Sequence, residues 1–172
     1  MGNMTRLEQV SISNNQLEGP IPVEICNLDS LFLLNLSENK LCCSLPSCFN
    51  PSSISHVYLN NNQLEGSILN HMSGIDFSSN KLHGEISDDL GKLSKIHSLN
   101  LSHNNLVGTI PETFSNLHQI ESLDLSYNSL SGRIPTGLIE LNALEVFSVA
   151  HKNLTRRILE KGQFGTFDEG SY

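Results

Sequence analysis

The chain contains no tryptophan and only three tyrosines among its 172 residues. Positive charge is also scarce, because 10 lysines and arginines stand against 18 aspartates and glutamates and give a net charge of −8. Nucleic acids and anionic membranes attract basic proteins, so we expect no nucleic-acid partner. Charged residues make up 16% and hydrophobic residues 38%, which is typical of a globular or repeat protein rather than a disordered one.

Long apolar runs are missing as well. No stretch approaches the ~18 apolar residues of a membrane-spanning helix, so we expect no transmembrane segment in this chain. The opening residues, MGNMTRLEQV, carry no apolar segment, and we expect no signal peptide here. The motifs HExxH, GxSxG and the phosphate-binding loop are absent, and the seven histidines are scattered. The sequence therefore predicts no enzyme, no metal site and no cofactor.

What the sequence does contain is a repeat. The segments IHSLNLSHNNLVGTIP (96–111) and IESLDLSYNSLSGRIP (120–135) share the pattern LxxLxLxxNxLxGxIP. The same frame fits seven units, which start near residues 7, 31, 54, 72, 96, 120 and 144. The first six units carry an asparagine at the N position: Asn15, Asn39, Asn62, Asn80, Asn104 and Asn128. A repeat of this length indicates stacked units that share one core.

Each letter of this pattern has a physical role. The L-x-L segment places two apolar side chains on one face of a short strand and the x residues on the other. An asparagine amide both donates and accepts hydrogen bonds, so a buried one can join neighbouring units into an asparagine ladder. The glycine permits a positive φ, and the proline fixes φ and starts an extended arm on the far side.

One unit begins early. Asn62 and Asn80 are 18 residues apart, whereas most gaps in the series are 24. Only three residues separate Ile68 from Met72, and four residue steps span at most ~14 Å. We therefore predict a nearly straight return with no helical turn between these two residues.

The last unit departs from the pattern. Lys152 stands where the ladder asparagine belongs and Arg156 where the glycine belongs. Lysine cannot accept the hydrogen bonds of the turn, and arginine resists a positive φ. We therefore expect a frayed end after about Val149.

The pattern resembles the leucine-rich repeats of plant receptor-like proteins and receptor kinases over almost the whole chain. Several parts of the sequence are similar to the last repeats before the membrane in receptor-like proteins: SGIDFSSNKLHGEI, the two units quoted above, and LEVFSVAHKNL. The segment QFGTFDEGSY is similar to the segment that follows those repeats. The resemblance implies an α/β fold: a right-handed leucine-rich-repeat solenoid, part of a horseshoe, with a concave parallel sheet of about seven repeats. The array is expected at 1–159 and an irregular tail at 160–172. In that family an irregular insertion precedes a segment like MSGIDFSSN, so the early unit is interpreted as a join left by a deletion.

The x positions of L-x-L-x-x would form the ligand face. Their first column is Ser11, Asn35, Tyr58, Asp76, Asn100, Asp124 and Ser148. The second is Ser13, Ser37, Asn60, Ser78, Ser102, Ser126 and Ala150, and the third is Asn14, Glu38, Asn61, Ser79, His103, Tyr127 and His151. The simplest interpretation of most positions is a solvated face of small polar residues. The candidate ligand and co-receptor face consists of the aromatic and charged members and one asparagine: Tyr58, Asp76, Asn100, His103, Asp124, Tyr127 and His151.

Two kinds of covalent modification are indicated. Sequons for N-glycosylation begin at Asn3, Asn35, Asn100 and Asn153. A glycan at Asn100 would lie on the strand face and compete with a ligand, although LNLS is also simply the repeat consensus.

The four cysteines allow three pairings. Cys26 and Cys48 lie in the far-side arms of consecutive units, which are close enough for a disulfide, and we favour this pairing. Cys42 and Cys43 are adjacent, with Cys43 in place of the glycine, and we expect free thiols. A zinc site has no supporting histidine spacing.

Three functions stay open at this point. The first is a protein- or peptide-binding module of a cell-surface receptor-like protein in defence or developmental signalling. The resemblance implies the extracellular side of the plasma membrane, and a co-receptor kinase docked on the last four units. The second is a secreted inhibitor of cell-wall-degrading enzymes, and the third is a truncated product with no independent activity. The similarity to the segment before the membrane favours the first.

Overall fold

The computed structural model describes residues 6–46, 54–66 and 74–149. The strands in these ranges are β1 (Gln9–Ser11), β2 (Glu18–Gly19), β3 (Leu33–Asn35), β4 (Lys40–Cys43), β5 (His56–Tyr58), β6 (Gln63–Gly66), β7 (Gly74–Asp76), β8 (Lys81–Glu85), β9 (Ser98–Asn100), β10 (Asn105–Gly108), β11 (Ser122–Asp124), β12 (Ser129–Leu130) and β13 (Val146–Ser148). The odd-numbered strands form a first parallel sheet and the even-numbered strands a second one, each in chain order. The predicted solenoid with a parallel sheet is confirmed.

The first sheet keeps all of its described units in one register. The central residue of each strand pairs with the central residue of the next, as Leu99 does with Leu123, and both are fully buried. The early unit follows the same rule, because Asp76 of β7 pairs with Tyr58 of β5. The straight return predicted for this unit falls in residues 67–73, which lie outside the described ranges.

The second sheet was not predicted. Its strands begin close after the ladder asparagines, and most of them reach the position of the repeat glycine. At that position Gly66, Gly84 and Gly108 have φ values of 91°, 88° and 81°. Strands this short are stable only when neighbouring units stack and supply their partners, so no alternating pattern in the sequence marks them.

The third side of the solenoid carries short 3₁₀ helices. Within the described residues they are Val23–Asn27, Asp88–Lys92, Glu112–Asn116 and Thr136–Glu140. Pro22, Pro111 and Pro135 occupy the N-cap positions, with φ between −62° and −55°. The repeat proline therefore precedes a helical turn in these units, and the expected extended arm is wrong there. Proline is suited to this place because its fixed φ costs nothing at the start of a helix.

Asparagine side chains connect successive units. The Nδ2 atom of Asn104 donates to the carbonyl oxygens of Phe77, Leu101 and Ser102 at 3.0–3.1 Å, and its Oδ1 accepts from the backbone N–H of Leu82 at 3.0 Å. Phe77 and Leu82 belong to the preceding unit, so one side chain bonds both units. The same bonds recur at Asn39, Asn62, Asn80 and Asn128.

One apolar core runs between the two sheets and the 3₁₀ helices. Its largest fully buried side chains in the described ranges include Phe77, Phe114 and Phe147, surrounded by repeat leucines and isoleucines. Core residues continue up to Val149, so the described part of the last unit is packed. Fraying beyond Val149 and the irregular tail remain predictions, since residues 150–172 lie outside the described ranges. This shared core makes the outer face of the first sheet a continuous platform.

Candidate functional site

Predicted first-column residues form a straight row on the first sheet. Tyr58 pairs with Asp76, Asp76 with Asn100, and Asn100 with Asp124. Neighbouring strands in a sheet lie ~4.8 Å apart, which spaces these side chains closely enough for one ligand to contact several. The row therefore presents one phenol, two carboxylates and one amide along a single line.

Four serines of the second column are buried rather than exposed to solvent. Ser126 is 5% exposed, and its hydroxyl donates to Asp124 Oδ1 at 2.7 Å while its backbone N–H donates to the same oxygen at 3.0 Å. The equivalent two bonds join Ser37 to Asn35, Ser78 to Asp76 and Ser102 to Asn100. The predicted solvated face is therefore wrong for these serines. Each first-column acid or amide thus has a structural task besides any contact with a ligand.

Replacing Asp124 by alanine is expected to lower the free energy of unfolding by about 2 kcal/mol, because Ser126 would keep a buried hydroxyl without its acceptor. The Asp124→Asn variant keeps Oδ1, as Asn100 does in the preceding unit, and should lose less than about 0.5 kcal/mol. Urea unfolding followed by circular dichroism measures both. Equal losses would mean that the negative charge, rather than the acceptor, stabilises the turn.

The third column forms a tight turn at the ends of the strands. Glu38, His103 and Tyr127 all have φ values of 53–54°, a region that bulky residues seldom occupy. This turn stacks the rings of His103 and Tyr127, whose centroids are 4.0 Å apart and whose planes differ by 10°. Tyr127 is 49% exposed. We call the stacked rings of His103 and Tyr127, which lie beside the sheet, the aromatic step. His151, which was predicted in the same column, lies outside the described residues.

A groove of about 650 Å³ crosses the first sheet from β5 to β13. Its floor is formed by Gly74, Ser98 and Ser122, which pair with one another on successive strands. His56 stands at one end and Val146, 52% exposed, at the other. Small side chains in the middle and larger ones at the ends leave room for an extended ligand.

The two long edges of this groove differ in charge. Asp76 and Asp124 lie at the carboxyl ends of their strands, while Lys95 and His97 line the opposite edge. His97 Nδ1 is 3.1 Å from Glu121 Oε1, and both side chains are more than half exposed. A charged ligand would therefore be attracted in one orientation across the sheet.

The groove brings together part of the predicted ligand face. Tyr58, Asp76, Asn100 and Asp124 line it, whereas the His103–Tyr127 step lies outside it. The sequence prediction missed several lining residues: His56, Gly74, Lys95, His97, Ser98, Ser122 and Val146. Five of these stand two positions before a first-column residue. Since residues two apart on a strand share a face, that alternation could have found them.

The predicted modification sites are only partly within the described ranges. Asn35 and Asn100 lie at the ends of β3 and β9, and a glycan on Asn100 would occupy the groove. Asn3 and Asn153 lie outside the described residues. Glycosylation stays a prediction at all four.

The cysteines fall into two groups. Cys26 is disulfide-bonded, and Cys48, its predicted partner, lies outside the described residues, so that pairing stays a prediction. Cys42 and Cys43 are free thiols.

In the ranges that the structure describes, no three His, Cys, Asp or Glu side chains converge on a point where a metal ion would fit. The same ranges hold no helix with the length and apolar character needed to traverse a bilayer. What the groove and the aromatic step offer is hydrogen bonding, ion pairing and ring contacts.

Comparison with known proteins agrees with the repeat. Two leucine-rich-repeat family models match residues 94–154 and 6–28. Receptor-like protein 35 of Arabidopsis thaliana is 35% identical over 94 residues, an alignment that covers 51% of this chain and 10% of the relative. The chain thus spans about a tenth of the length of that relative.

Solved structures with the same fold include those of plant receptors. The Arabidopsis receptor kinase HAESA, in complex with the peptide hormone IDA and the co-receptor SERK1, superposes with a TM-score of 0.85 and 32% identity over 90% of this chain and 27% of that one. The PEPR1–AtPEP1 structure gives 0.83 and 34% over 86% of this chain and 22% of that one. The repeat, the parallel-sheet solenoid and these comparisons identify a leucine-rich-repeat array that is similar to those of plant receptor-like proteins.

Proposed function

We propose that this chain is the recognition module of a plant cell-surface receptor-like protein and binds a peptide or protein ligand in defence or developmental signalling. The HAESA structure, which contains the peptide hormone IDA and the co-receptor SERK1, shares its fold, and so does the PEPR1–AtPEP1 structure. The proposal places the chain on the extracellular side of the plasma membrane, as part of a longer receptor, and gives it a binding role rather than a catalytic one.

The groove across the first sheet is the observation that carries this proposal. From β5 to β13 it crosses five strands of the first sheet, or about 20 Å at ~4.8 Å per strand. An extended peptide rises ~3.3 Å per residue, so about six residues fit along it. Small floor residues admit the peptide backbone, while Tyr58 and the carboxylates of Asp76 and Asp124 offer contacts along one side.

Filling the groove should abolish peptide binding. Ser98 is exposed on its floor, so Ser98→Arg adds a long side chain there without disturbing the core. Peptides selected from a displayed random library on the native chain should bind Ser98→Arg at least about 100-fold more weakly. Surface plasmon resonance measures the affinities.

The matched control is Ser129→Arg, an equally exposed serine on the second sheet. It should bind the selected peptides as the native chain does. Peptides that bind Ser98→Arg with native affinity would show that the groove is not the recognition surface.

A co-receptor kinase is the second partner that we assign, and it would contact the aromatic step of His103 and Tyr127. Exposed tyrosines are frequent at binding hot spots, and this ring is pre-organised by its stack. Tyr127→Ala should weaken capture of a co-receptor ectodomain by about tenfold or more while the selected peptides still bind. Unchanged co-receptor capture would rule out this surface.

A further inference from the structure

The two free thiols of β4 lie against each other. The Sγ atoms of Cys42 and Cys43 are 2.9 Å apart, inside ordinary contact distance for two sulfurs. Cys43 is exposed and Cys42 is half-buried, so reagents in solvent can reach the pair. Neither residue takes part in the groove or in the aromatic step.

The backbone explains why adjacent side chains meet. Along a regular strand successive side chains point to opposite faces, which separates neighbouring cysteines. Cys43 occupies the position filled by glycine in Gly66 and Gly108, and like them it has a positive φ, at 71°. This conformation turns its side chain toward that of Cys42. A residue that the repeat needs for its backbone freedom has thus been exchanged for one that completes a dithiol.

The hydrogen bond between the two sulfurs also affects protonation. It is the main cause that raises the pKa of the Cys43 thiol, and the nearby carboxylate of Glu65 adds to it. Cys43 therefore holds its proton to higher pH. Whichever sulfur of the pair loses its proton attacks an electrophile, because the thiolate is the nucleophilic form.

We propose that Cys42 and Cys43 form an oxidisable vicinal dithiol that a peroxide converts into a disulfide within the strand. One thiol of the pair loses its proton and attacks one oxygen of the peroxide. The O–O bond breaks, the leaving hydroxide takes up a proton to become water, and a sulfenic acid remains on that cysteine. The sulfur of the other cysteine then attacks the sulfenic sulfur, its proton leaves with the hydroxyl as a second water, and the S–S bond forms. Two thiols are oxidised by two electrons and one peroxide is reduced to two waters.

Formation of this disulfide would affect the second sheet. Cys42 pairs with Gln63 and Cys43 with Leu64, so the peptide link inside the new ring is also a rung between β4 and β6. Closing a ring over two adjacent residues twists that link away from its relaxed geometry. Oxidation should therefore loosen the pairing of these two strands and leave the other units unchanged.

Hydrogen peroxide is the probe that tests the proposal. One equivalent added to the native chain should remove both thiols with a single rate constant, and the mass of the peptide that carries them should fall by two hydrogens. In Cys42→Ser the remaining thiol should gain oxygen instead, because no neighbouring sulfur traps the sulfenic acid. Phenylarsine oxide, which bridges two adjacent thiols, should bind the reduced native chain but not this variant.

Cys43→Gly is the second variant, since it restores the repeat glycine and is compatible with the backbone. It should fold at least as stably as the native chain and lose the arsenical binding. Oxygen gained independently on each cysteine of the native chain, or covalent dimers formed as fast as in Cys42→Ser, would overturn the proposal. Hydrogen exchange before and after oxidation should show faster exchange in β4 and β6 only.

Discussion

Replacing Asn104 by alanine is expected to lower the free energy of unfolding by about 4 kcal/mol. The amide that would be lost makes three donor bonds to carbonyl oxygens and one acceptor bond to the buried N–H of Leu82. A buried group left without a partner costs ~1–3 kcal/mol, and the alanine leaves several at once. The chain has no tryptophan, so urea unfolding is best followed by circular dichroism.

Asn15 provides the control within the same ladder. Its Nδ2 donates to the carbonyl oxygens of Ile12 and Ser13, and both bonds are exposed. Asn15→Ala should therefore cost less than about 1 kcal/mol, because water can replace these partners. Equal losses of stability in the two alanine variants would show that the hydrogen bonds between units are not the main stabilising part of the ladder.

Gly91→Ala is expected to cost about 3 kcal/mol. Gly91 is buried in the 3₁₀ helix Asp88–Lys92, and a β-carbon there would collide with the carbonyl oxygen and the hydroxyl of Thr113 in the next unit. The same hydroxyl donates to the carbonyl of Asp88 at 2.8 Å, so moving Thr113 aside would also break a bond between units. Overpacking that requires a backbone shift costs ~1–3 kcal/mol or more. Thermal and urea unfolding measure the loss.

Gly84 separates this steric effect from backbone strain. It has a φ of 88°, but apart from the glycine itself and its two chain neighbours no atom lies within 4 Å of the position of its β-carbon. Gly84→Ala should therefore cost only about 1 kcal/mol, the conformational penalty of a positive φ. A larger loss for Gly84→Ala than for Gly91→Ala would show that contact between the 3₁₀ helices contributes little to stacking.

The first sheet could be predicted from the sequence because apolar and polar residues alternate visibly in the L-x-L segment of the repeat. Leucines such as Leu99 and Leu123 mark the buried face, and with them fixed, the first-column residues Asn100 and Asp124 follow. The asparagine ladder was equally accessible, because a polar residue fixed inside an apolar repeat needs a partner. These features follow from a single unit and its copies.

Features that arise only between units could not be predicted in this way. The second sheet exists because stacked neighbours supply partners to strands as short as Ser129–Leu130. The alternation within one unit could place Gly74, Ser98 and Ser122 on the sheet face, but the groove exists only because these residues are small in three successive units. The stack of His103 on Tyr127 likewise depends on which residues two adjacent turns happen to carry.

The bond from four second-column serines to the first-column residue two positions earlier has a consequence for how such a surface diversifies. A carboxylate and an amide present the same Oδ1 atom, and the chain uses both, with Asp76 and Asp124 alternating with Asn100. The fold therefore accepts either residue at this position, whereas a ligand distinguishes the charged carboxylate from the neutral amide. Negative charge can therefore be added or removed in each unit by exchanging aspartate and asparagine, and every added repeat doubles the number of charge patterns that one scaffold can display.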